Sequence, residues 1–259
     1  MSAAAQYGAL SRRSIVNTAR QPAAIVPALT FPLLFLALTS AALNRAIMLP
    51  GFPPVESFLQ FAVATTIVQG ALFGAVAAGS DMATDIAGGF FDRLIASPVA
   101  RTSILVGRLA GAATLGFVQA LLYLGVGTLF GLTIDGGPAA VLAIAVVAAV
   151  VSAGIGGLAV AFGLRTGSSE AVQGAFPLLF VLMFFSSAFF PRNLMEGWFK
   201  IVATANPLSR LIEGLREQVI AGLDLPELLA AASVAAAIFV VGVTASALAL
   251  RGRLAAGGG

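Results

Sequence analysis

The sequence predicts an all-α integral membrane protein with six transmembrane helices. Hydrophobic residues make up 59% of the chain and its mean hydropathy is +1.01, so the bilayer is the expected solvent. Six apolar runs are long enough to cross about 30 Å of hydrocarbon, which takes roughly 20 helical residues. The runs lack the alternation of barrel strands, and only helices or closed barrels satisfy their backbone in lipid.

The first element is a weakly amphipathic helix that precedes the first apolar run. It covers residues 2–21 and Pro22 ends it, so residues 1–22 are interpreted as an interfacial helix. Arg12, Arg13 and Arg20 would reach anionic headgroups, although a frayed tail is an alternative interpretation. Residues 23–259 form the transmembrane domain, with spans over 25–43, 58–78, 104–131, 138–164, 171–190 and 228–250.

The distribution of basic residues predicts the orientation of these spans. One side carries both termini and the second and fourth connections, with Arg12, Arg13, Arg20, Arg93, Arg101, Arg108, Arg165, Arg251 and Arg253. The other side carries Arg45, Arg192, Lys200, Arg210 and Arg216. Most of these lie in one long connection, and long connections influence the orientation less than short ones do. Because cytoplasmic loops are enriched in Lys and Arg, both termini are expected in the cytoplasm.

The connection over residues 80–103 stands out because it is polar in a chain with only 10% charged residues. Acids and arginines surround a short apolar patch in this connection. The charged residues are Asp81, Asp85, Asp92, Arg93, Arg101 and, just beyond the connection, Arg108. The apolar patch consists of Phe90, Phe91, Leu94 and Ile95. A plain connection would not need this mixture. The pattern predicts a short amphipathic helix on the membrane face that another protein contacts.

The fifth connection, residues 191–227, is predicted to form an extracellular helical hairpin that is re-entrant or lies on the membrane surface. Its first part is apolar but too short to cross the membrane, and Trp198 suits the membrane–water interface. Asn206-Pro207 breaks the helix, and a second amphipathic segment follows. Within it, Glu213 and Arg216 are spaced i, i+3 and are expected to pair. An ordinary extracellular loop is the alternative.

Several kinds of chemistry are excluded by composition. The chain has no cysteine and no histidine, which removes disulfides, thiol nucleophiles and His- or Cys-ligated metal sites. No phosphate-binding G-x-x-x-x-G-K-[ST] loop surrounds Lys200, and the glycines of 154–157 lie inside a span, where they favour close helix packing. We therefore expect no catalytic residue, metal or cofactor on this chain. The small basic excess also gives no indication of nucleic-acid binding.

The polar connection carries a family resemblance. It resembles the signature of type-2 ATP-binding-cassette (ABC) exporter permeases in the pattern Asp85-x-x-x-Gly89-x-x-Asp92-Arg93-Leu94-x-x-x-Pro98-x-x-Arg101. The run from Asn206-Pro207 to Arg216 is similar to the extracellular motif of the same family, and within it the chain looks closest to the daunorubicin-resistance type of actinobacterial permeases. One departure is Gly89-Phe90-Phe91-Asp92, where many members have Gly-Thr followed by Leu-Glu.

The resemblance implies an ATP-driven exporter of the bacterial plasma membrane. The 80–103 connection would be a coupling helix held in a cleft of a separate P-loop ATPase, which would carry the ATP and Mg²⁺. Two ATPases and a second permease, identical or paralogous, are the implied partners, together with membrane lipid. The implied coupling residues are Asp85, Gly89, Phe90, Phe91, Asp92, Arg93, Leu94, Pro98 and Arg101, and the implied extracellular gate is Trp198, Asn206, Pro207, Glu213 and Arg216.

The fifth span contains an aromatic stripe, Phe176, Phe180 and Phe184, at helical spacing. Such a stripe would suit a hydrophobic or amphiphilic cargo, such as a drug, lipid or glycolipid, moved by alternating access, although packing against neighbours is the more common role. Two other classes of function stay open at this point. An ion-coupled secondary transporter would need acids at mid-membrane, which the sequence lacks. A non-transporting scaffold would need no path for a substrate.

Overall fold

The computed structural model describes residues 3–256, excepting the side chains at positions 3, 4, 24, 176 and 256. Helices make up most of this range, and no strand occurs among the residues described. They are α1 (Ala3–Ala19), α2 (Pro22–Leu43), α3 (Phe58–Ala87), α4 (Phe90–Ala96), α5 (Arg101–Leu129), α6 (Gly137–Thr166), α7 (Ser169–Phe184), α8 (Gly197–Ala205), α9 (Pro207–Ile220) and α10 (Leu225–Ala256). The predicted all-helical class is confirmed.

Five helices in the described part of the chain are long and apolar enough to cross a membrane. They are Ile25–Met48, Phe58–Ala87, Arg101–Leu129, Gly137–Thr166 and Leu225–Ala255, which correspond to the first four predicted spans and the last. The α3 and α6 helices are the most enclosed, whereas the span formed by α2 and the one formed by α10 keep most of their surface outside the bundle.

The fifth predicted span, residues 171–190, is helical over only part of its length. The α7 helix has 16 residues and ends at Phe184, six residues before the predicted end at 190. The chain then turns toward α9, where the Ser187 N–H donates to the Ser209 hydroxyl at 3.0 Å. The Ala188 carbonyl accepts from the Thr65 hydroxyl of α3 at 2.8 Å. An unbroken apolar run gives no sign of this turn, because its polar partners lie elsewhere in the sequence.

The N-terminal helix packs along α5 through glycines. An added Cβ at Gly107 would lie 2.9 Å from the Leu10 Cβ, and one at Gly111 would collide with the Ser14 hydroxyl. Gly107 and Gly111 have the GxxxG spacing that allows helices to approach closely, and here it brings α1 against α5. The α1 helix is thus fixed to the protein on one side.

A proline inside α2 is matched by side chains of α5. Pro32 has no N–H, so the helix leaves the Ala28 carbonyl without its usual partner four residues on. The Tyr123 hydroxyl donates to that carbonyl at 2.8 Å and the Gln119 amide at 3.4 Å. The α5 helix therefore supplies the hydrogen bonds that Pro32 removes, as a backbone in lipid requires.

Two of the glycines of 154–157, Gly154 and Gly157, form the seam between α6 and α10. A Cβ at Gly242 would collide with the Gly154 carbonyl, and a Cβ at Gly157 would lie 2.7 Å from the Gly242 backbone. No larger residue fits at these positions unless the helices separate. The predicted packing role of this segment is confirmed.

The second half of the hairpin is embedded in the bundle. One face of α9 is buried among side chains of α3, α6 and α10; it consists of Leu208, Leu211, Ile212, Leu215 and Val219. The first half, α8, keeps Ile201 and Trp198 exposed. The two halves therefore differ in role, since α9 belongs to the core whereas α8 lies on its surface.

Candidate functional site

The short helix α4 begins immediately after the long helix α3. Gly88 ends α3, and Gly89, at φ 65°, adopts the left-handed conformation that caps the start of α4. Residues with a Cβ pay roughly 1 kcal/mol or more in this region, so the glycine allows the sharp change of direction. A short helix, Phe90–Ala96, thus lies within the polar connection.

Phe91 anchors α4 to the bundle. Its side chain is only 2% exposed and belongs to a buried cluster with Met82 of α3, Leu105 of α5, Leu164 of α6 and Leu250 of α10. The Arg253 guanidinium lies 5.8 Å from the Phe91 ring and donates to the Leu164 carbonyl at 2.8 Å. One aromatic side chain therefore connects α4 with the ends of four long helices.

The charged pair of α4 points away from this anchor. Asp92 and Arg93 are exposed, and neither side chain makes a hydrogen bond or ion pair with the residues described. Leu94 and Phe90 are half-buried, and the Arg13 guanidinium lies 3.9 Å from the centre of the Phe90 ring. The helix thus presents two free charges beside a partly covered apolar patch, which is the composition of a protein contact site.

Asp85 lies in a polar network that joins α1, α3 and α5. Arg108 is nearly buried and forms an ion pair with Asp85 and another with Asp81, the latter at 3.1 Å. Arg13 contacts Asp85 at 3.2 Å, and the amide of Asn17 donates to Asp81 at 3.0 Å. Unlike Asp92, the Asp85 carboxylate is therefore engaged inside the protein.

The α1 part of this network goes beyond what the sequence predicts. The sequence places Arg13 at the headgroups, whereas in the structure it holds Asp85, and Gln21 donates to Asp81 at 3.0 Å. A signal is present, because positions 13, 17 and 21 repeat at four-residue spacing, as do 81 and 85. Two such matching polar stripes are typical of helices that pair.

The end of the polar connection is fastened to α1 as well. Gln6 donates to the Pro98 carbonyl at 3.3 Å and accepts from the Ala100 N–H at 2.9 Å. The hydroxyls of Tyr7 and Thr102 are 2.7 Å apart. Pro98 therefore lies in a braced loop, whereas Arg101 at the start of α5 is exposed and without a partner among the described residues.

The Asn206-Pro207 break joins three segments. The Asn206 side chain accepts from the Leu208 N–H at 2.9 Å and so caps α9, where Pro207 is the first residue. Its amide donates to the carbonyls of Leu182 and Phe185, at 2.7 and 2.8 Å. One side chain therefore begins α9 and satisfies the carbonyls at the end of α7.

Glu213 and Arg216 do not pair with each other, which corrects the predicted i, i+3 contact. Glu213 instead binds Arg192, through the guanidinium Nε at 2.7 Å. Arg216 points into the core, where its guanidinium lies 3.5 Å from the centre of the Phe61 ring and donates to backbone carbonyls. Burial lowers the pKa of Arg216 to about 9, with Glu213 and Glu217 opposing that shift.

The remaining gate residue, Trp198, is 66% exposed and contacts Phe185 and Phe199 through its ring. An exposed indole on a surface helix fits the membrane interface that the sequence predicts. The five residues that the family resemblance assigns to a gate are thus divided between the surface and the core, and only Arg216 among them is buried.

The aromatic stripe of α7 is part of a larger cluster. The rings of Phe180 and Phe184 are 5.3 Å apart, and Phe184 stacks on Phe189 at 5.2 Å. Phe31 of α2 contacts Phe180 at 6.2 Å. The Phe176 side chain lies outside the described part of the structure. The cluster joins α2 to α7, a partnership that the sequence does not reveal.

Comparison with known proteins identifies the family. The ABC-2 type transporter family matches residues 5–220. The daunorubicin resistance ABC transporter permease protein DrrB1 of Streptomyces coeruleorubidus is 28% identical over 76% of this chain and 68% of its own length. The putative transport permease ycf38 of Porphyra purpurea is 28% identical over 80% of this chain and 72% of its own length. The probable doxorubicin resistance ABC transporter permease protein DrrC of Mycobacterium tuberculosis (strain ATCC 25618 / H37Rv) is 24% identical over 80% of this chain and 74% of its own length. The chain therefore belongs to the ABC-2 type transporter family and is a multi-pass membrane permease.

Proposed function

We propose that this chain is the membrane subunit of an ATP-driven exporter, working with two cytoplasmic ATPase subunits and a second permease, identical or paralogous. The α4 helix carries the proposal. It is held at the end of the bundle by Phe91 and presents Asp92 and Arg93 free of other partners in the described chain. The Leu94 side of α4 adds apolar surface for an ATPase cleft.

The same helix provides a route for mechanical coupling. An ATPase that closes on nucleotide would displace α4, and Phe91 shares its buried cluster with residues of α3, α5, α6 and α10. Close-packed cores move as units rather than deform, so the displacement would tilt the ends of these helices. Alternating exposure of a path between two permeases follows from that motion.

For the cargo we propose a hydrophobic or amphiphilic molecule, such as a drug or lipid. The aromatic cluster between α2 and α7 supports this, because it leaves Phe31 and Phe184 partly exposed on the surface of the bundle. Aromatic faces bind flat apolar molecules well and do not bind strongly charged ones. A seam formed by α2 and α7 with the second permease would place the cluster along the path.

The reconstituted complex tests the function. The isolated chain is expected neither to bind nor to hydrolyse ATP, because Lys200 is its only lysine and no phosphate-binding loop surrounds it. With a cognate ATPase in proteoliposomes, hydrolysis should rise when amphiphilic drugs or lipids are added. Photolabelling with an ATP analogue and phosphate release measure the two results. Labelling of the isolated chain that survives removal of contaminating ATPases would contradict the proposal.

The proposed topology has six spans, with residues 1–22 as an interfacial helix and both termini in the cytoplasm. The α7 helix and the turn after it would form the fifth span, and α8 and α9 the extracellular hairpin. The arginine distribution supports this orientation, since the α4 end of the bundle also carries Arg101, Arg165, Arg251 and the end of α10.

Introduced thiols test the topology without interference, since the chain has no cysteine. Lys200→Cys should react with a membrane-impermeant maleimide added to intact cells, whereas Ala96→Cys on α4 should not. Ile201→Cys should react slowly although Ile201 is exposed like its neighbour Lys200, because the apolar side of α8 would lie in lipid. Labelling of Ala96→Cys from outside would invert the topology.

A further inference from the structure

A large open cavity lies beside the coupling helix. Its volume is about 1160 Å³, and it is bounded by α4, the first turns of α5 and the last turns of α10. Because α5 and α10 are both candidate membrane spans, the cavity lies at the level where one end of the bundle leaves the bilayer. We call it the α5–α10 groove.

The groove has two chemically different parts. Arg101 and Arg251 are exposed at its rim, and neither makes a hydrogen bond or ion pair with the residues described. Further into the bundle its walls are apolar, formed by Leu105 of α5 and by Ala247 and Leu250 of α10. A ligand that fits both parts has an anionic head and an apolar tail.

The charge of the lining favours an anion. Three arginines line the groove, Arg101, Arg251 and Arg253, and Asp92 is the acid among the lining residues. Arg253 is already used by the Leu164 carbonyl, so Arg101 and Arg251 supply the free donors within the described chain. A guanidinium can donate two parallel hydrogen bonds to a phosphate, and basic pockets between membrane helices bind anionic headgroups.

We propose that the α5–α10 groove binds an anionic phospholipid of the adjoining leaflet. Arg101 and Arg251 hold the headgroup phosphate, and the first acyl methylenes lie against Leu105, Ala247 and Leu250. A water-soluble protein would reach the rim but not the apolar walls between two spans, which is why the depth of the groove favours a lipid. The bound lipid joins α4 to the end of α10.

The groove shares Asp92 and Arg101 with the proposed ATPase-docking region, but lipid binding can be measured on the permease alone, so its test needs neither cargo nor ATPase. The full chain is purified in detergent with an equimolar mixture of phosphatidylglycerol and phosphatidylcholine, and lipids retained per protein are counted by native mass spectrometry. Wild type should retain phosphatidylglycerol selectively. Arg101→Gln with Arg251→Gln should lower that retention at least tenfold, because both phosphate donors are removed.

The matched control is Arg45→Gln with Arg165→Gln, which removes the same charge from exposed arginines outside the groove and outside the N-terminal helix. It should retain phosphatidylglycerol as wild type does. Equal retention by the groove variant and wild type would overturn the proposal, and so would equal loss in both variants, which would indicate a general charge effect. Wild type that keeps phosphatidylcholine equally well would overturn it too.

A competition experiment separates a lipid from a free anion. Glycerol phosphate carries the phosphate but no acyl chain, and at the same concentration it should displace less than a tenth of the bound phosphatidylglycerol. Full displacement would show that the apolar walls contribute nothing and would overturn the lipid assignment in favour of a soluble phosphate site.

Discussion

Reversing the charge of Asp92 is expected to abolish transport by the permease–ATPase complex while leaving the permease folded. Asp92 is exposed and has no partner among the described residues, so Asp92→Arg removes no contact on which the fold depends. In a docked interface the same change replaces an attraction with a repulsion. Loss of such a central contact costs about 2 kcal/mol or more, or roughly 30-fold in affinity.

The measurement is the amount of ATPase that copurifies with the tagged permease, together with transport in proteoliposomes. Glu170→Arg is the control, because it makes the same charge change at an exposed acid at the start of α7. The control should keep both the ATPase and transport. Asp92→Arg that keeps wild-type complex yield and transport would show that α4 does not dock the ATPase.

Phe91 separates docking from folding. The family resemblance suggests Phe91 as an apolar anchor for the ATPase, but its side chain is buried inside the permease itself. Phe91→Ala would therefore leave a cavity, at a typical cost of about 4 kcal/mol to the free energy of unfolding. Loss of the complex in that variant would report on the permease fold and not on the docking surface.

Most of the helices could be predicted from apolar runs, since lipid forces each run to be a helix. The end of α7 could not, because it depends on a hydrogen bond to the Ser209 hydroxyl and one from the Thr65 hydroxyl, and both residues lie far away in sequence. The polar network of Asp81 and Asp85 is indicated only by the matching four-residue spacing of positions 13, 17 and 21 and of positions 81 and 85. Composition shows that charges are present, but their pairing depends on which helix ends the fold brings together.

The hairpin shows where a local rule fails. An i, i+3 pair of opposite charges is favourable on an isolated helix. In α9, however, Arg216 lies on the buried side of the helix, whereas Glu213 is partly exposed and meets Arg192. The hydrophobic face of α9 fixes which side turns inward, and that decides the partner of each charge.

The buried face of α9 is only partly predictable from the sequence. Its apolar residues follow helical spacing, and Leu211, Ile212 and Leu215 are all buried in the bundle as that spacing predicts. The same packing places Arg216 beside Phe61. A buried arginine could not be predicted from spacing, because a charge in the core is costly unless it is paired or hydrogen-bonded, and its acceptors belong to distant segments.

Replacing Arg216 with leucine is expected to destabilise the permease by about 3 kcal/mol, or roughly 10 °C in melting temperature. The guanidinium donates to the Phe61 carbonyl at 2.8 Å and to the Ser187 carbonyl at 3.0 Å, and it stacks on the Phe61 ring. Ser187 lies in the turn after α7, outside any helix, so its carbonyl would lose a partner that the backbone does not replace. Leucine would avoid the cost of burying a charge, which offsets part of the loss.

Arg210→Leu is the matched control, since Arg210 lies on the same helix and forms an exposed ion pair with Glu227 at 3.2 Å. An exposed pair contributes about 0–1 kcal/mol, so this variant should melt within a few degrees of wild type.

Arg216→Lys should not restore stability, because an ammonium cannot stack and reach both carbonyls as a guanidinium does. The measurement is thermal unfolding in detergent, monitored by size-exclusion chromatography of samples heated to increasing temperatures. Wild-type melting of Arg216→Lys would show that only the charge at position 216 matters, and wild-type melting of Arg216→Leu would show that α9 is held by its apolar face alone.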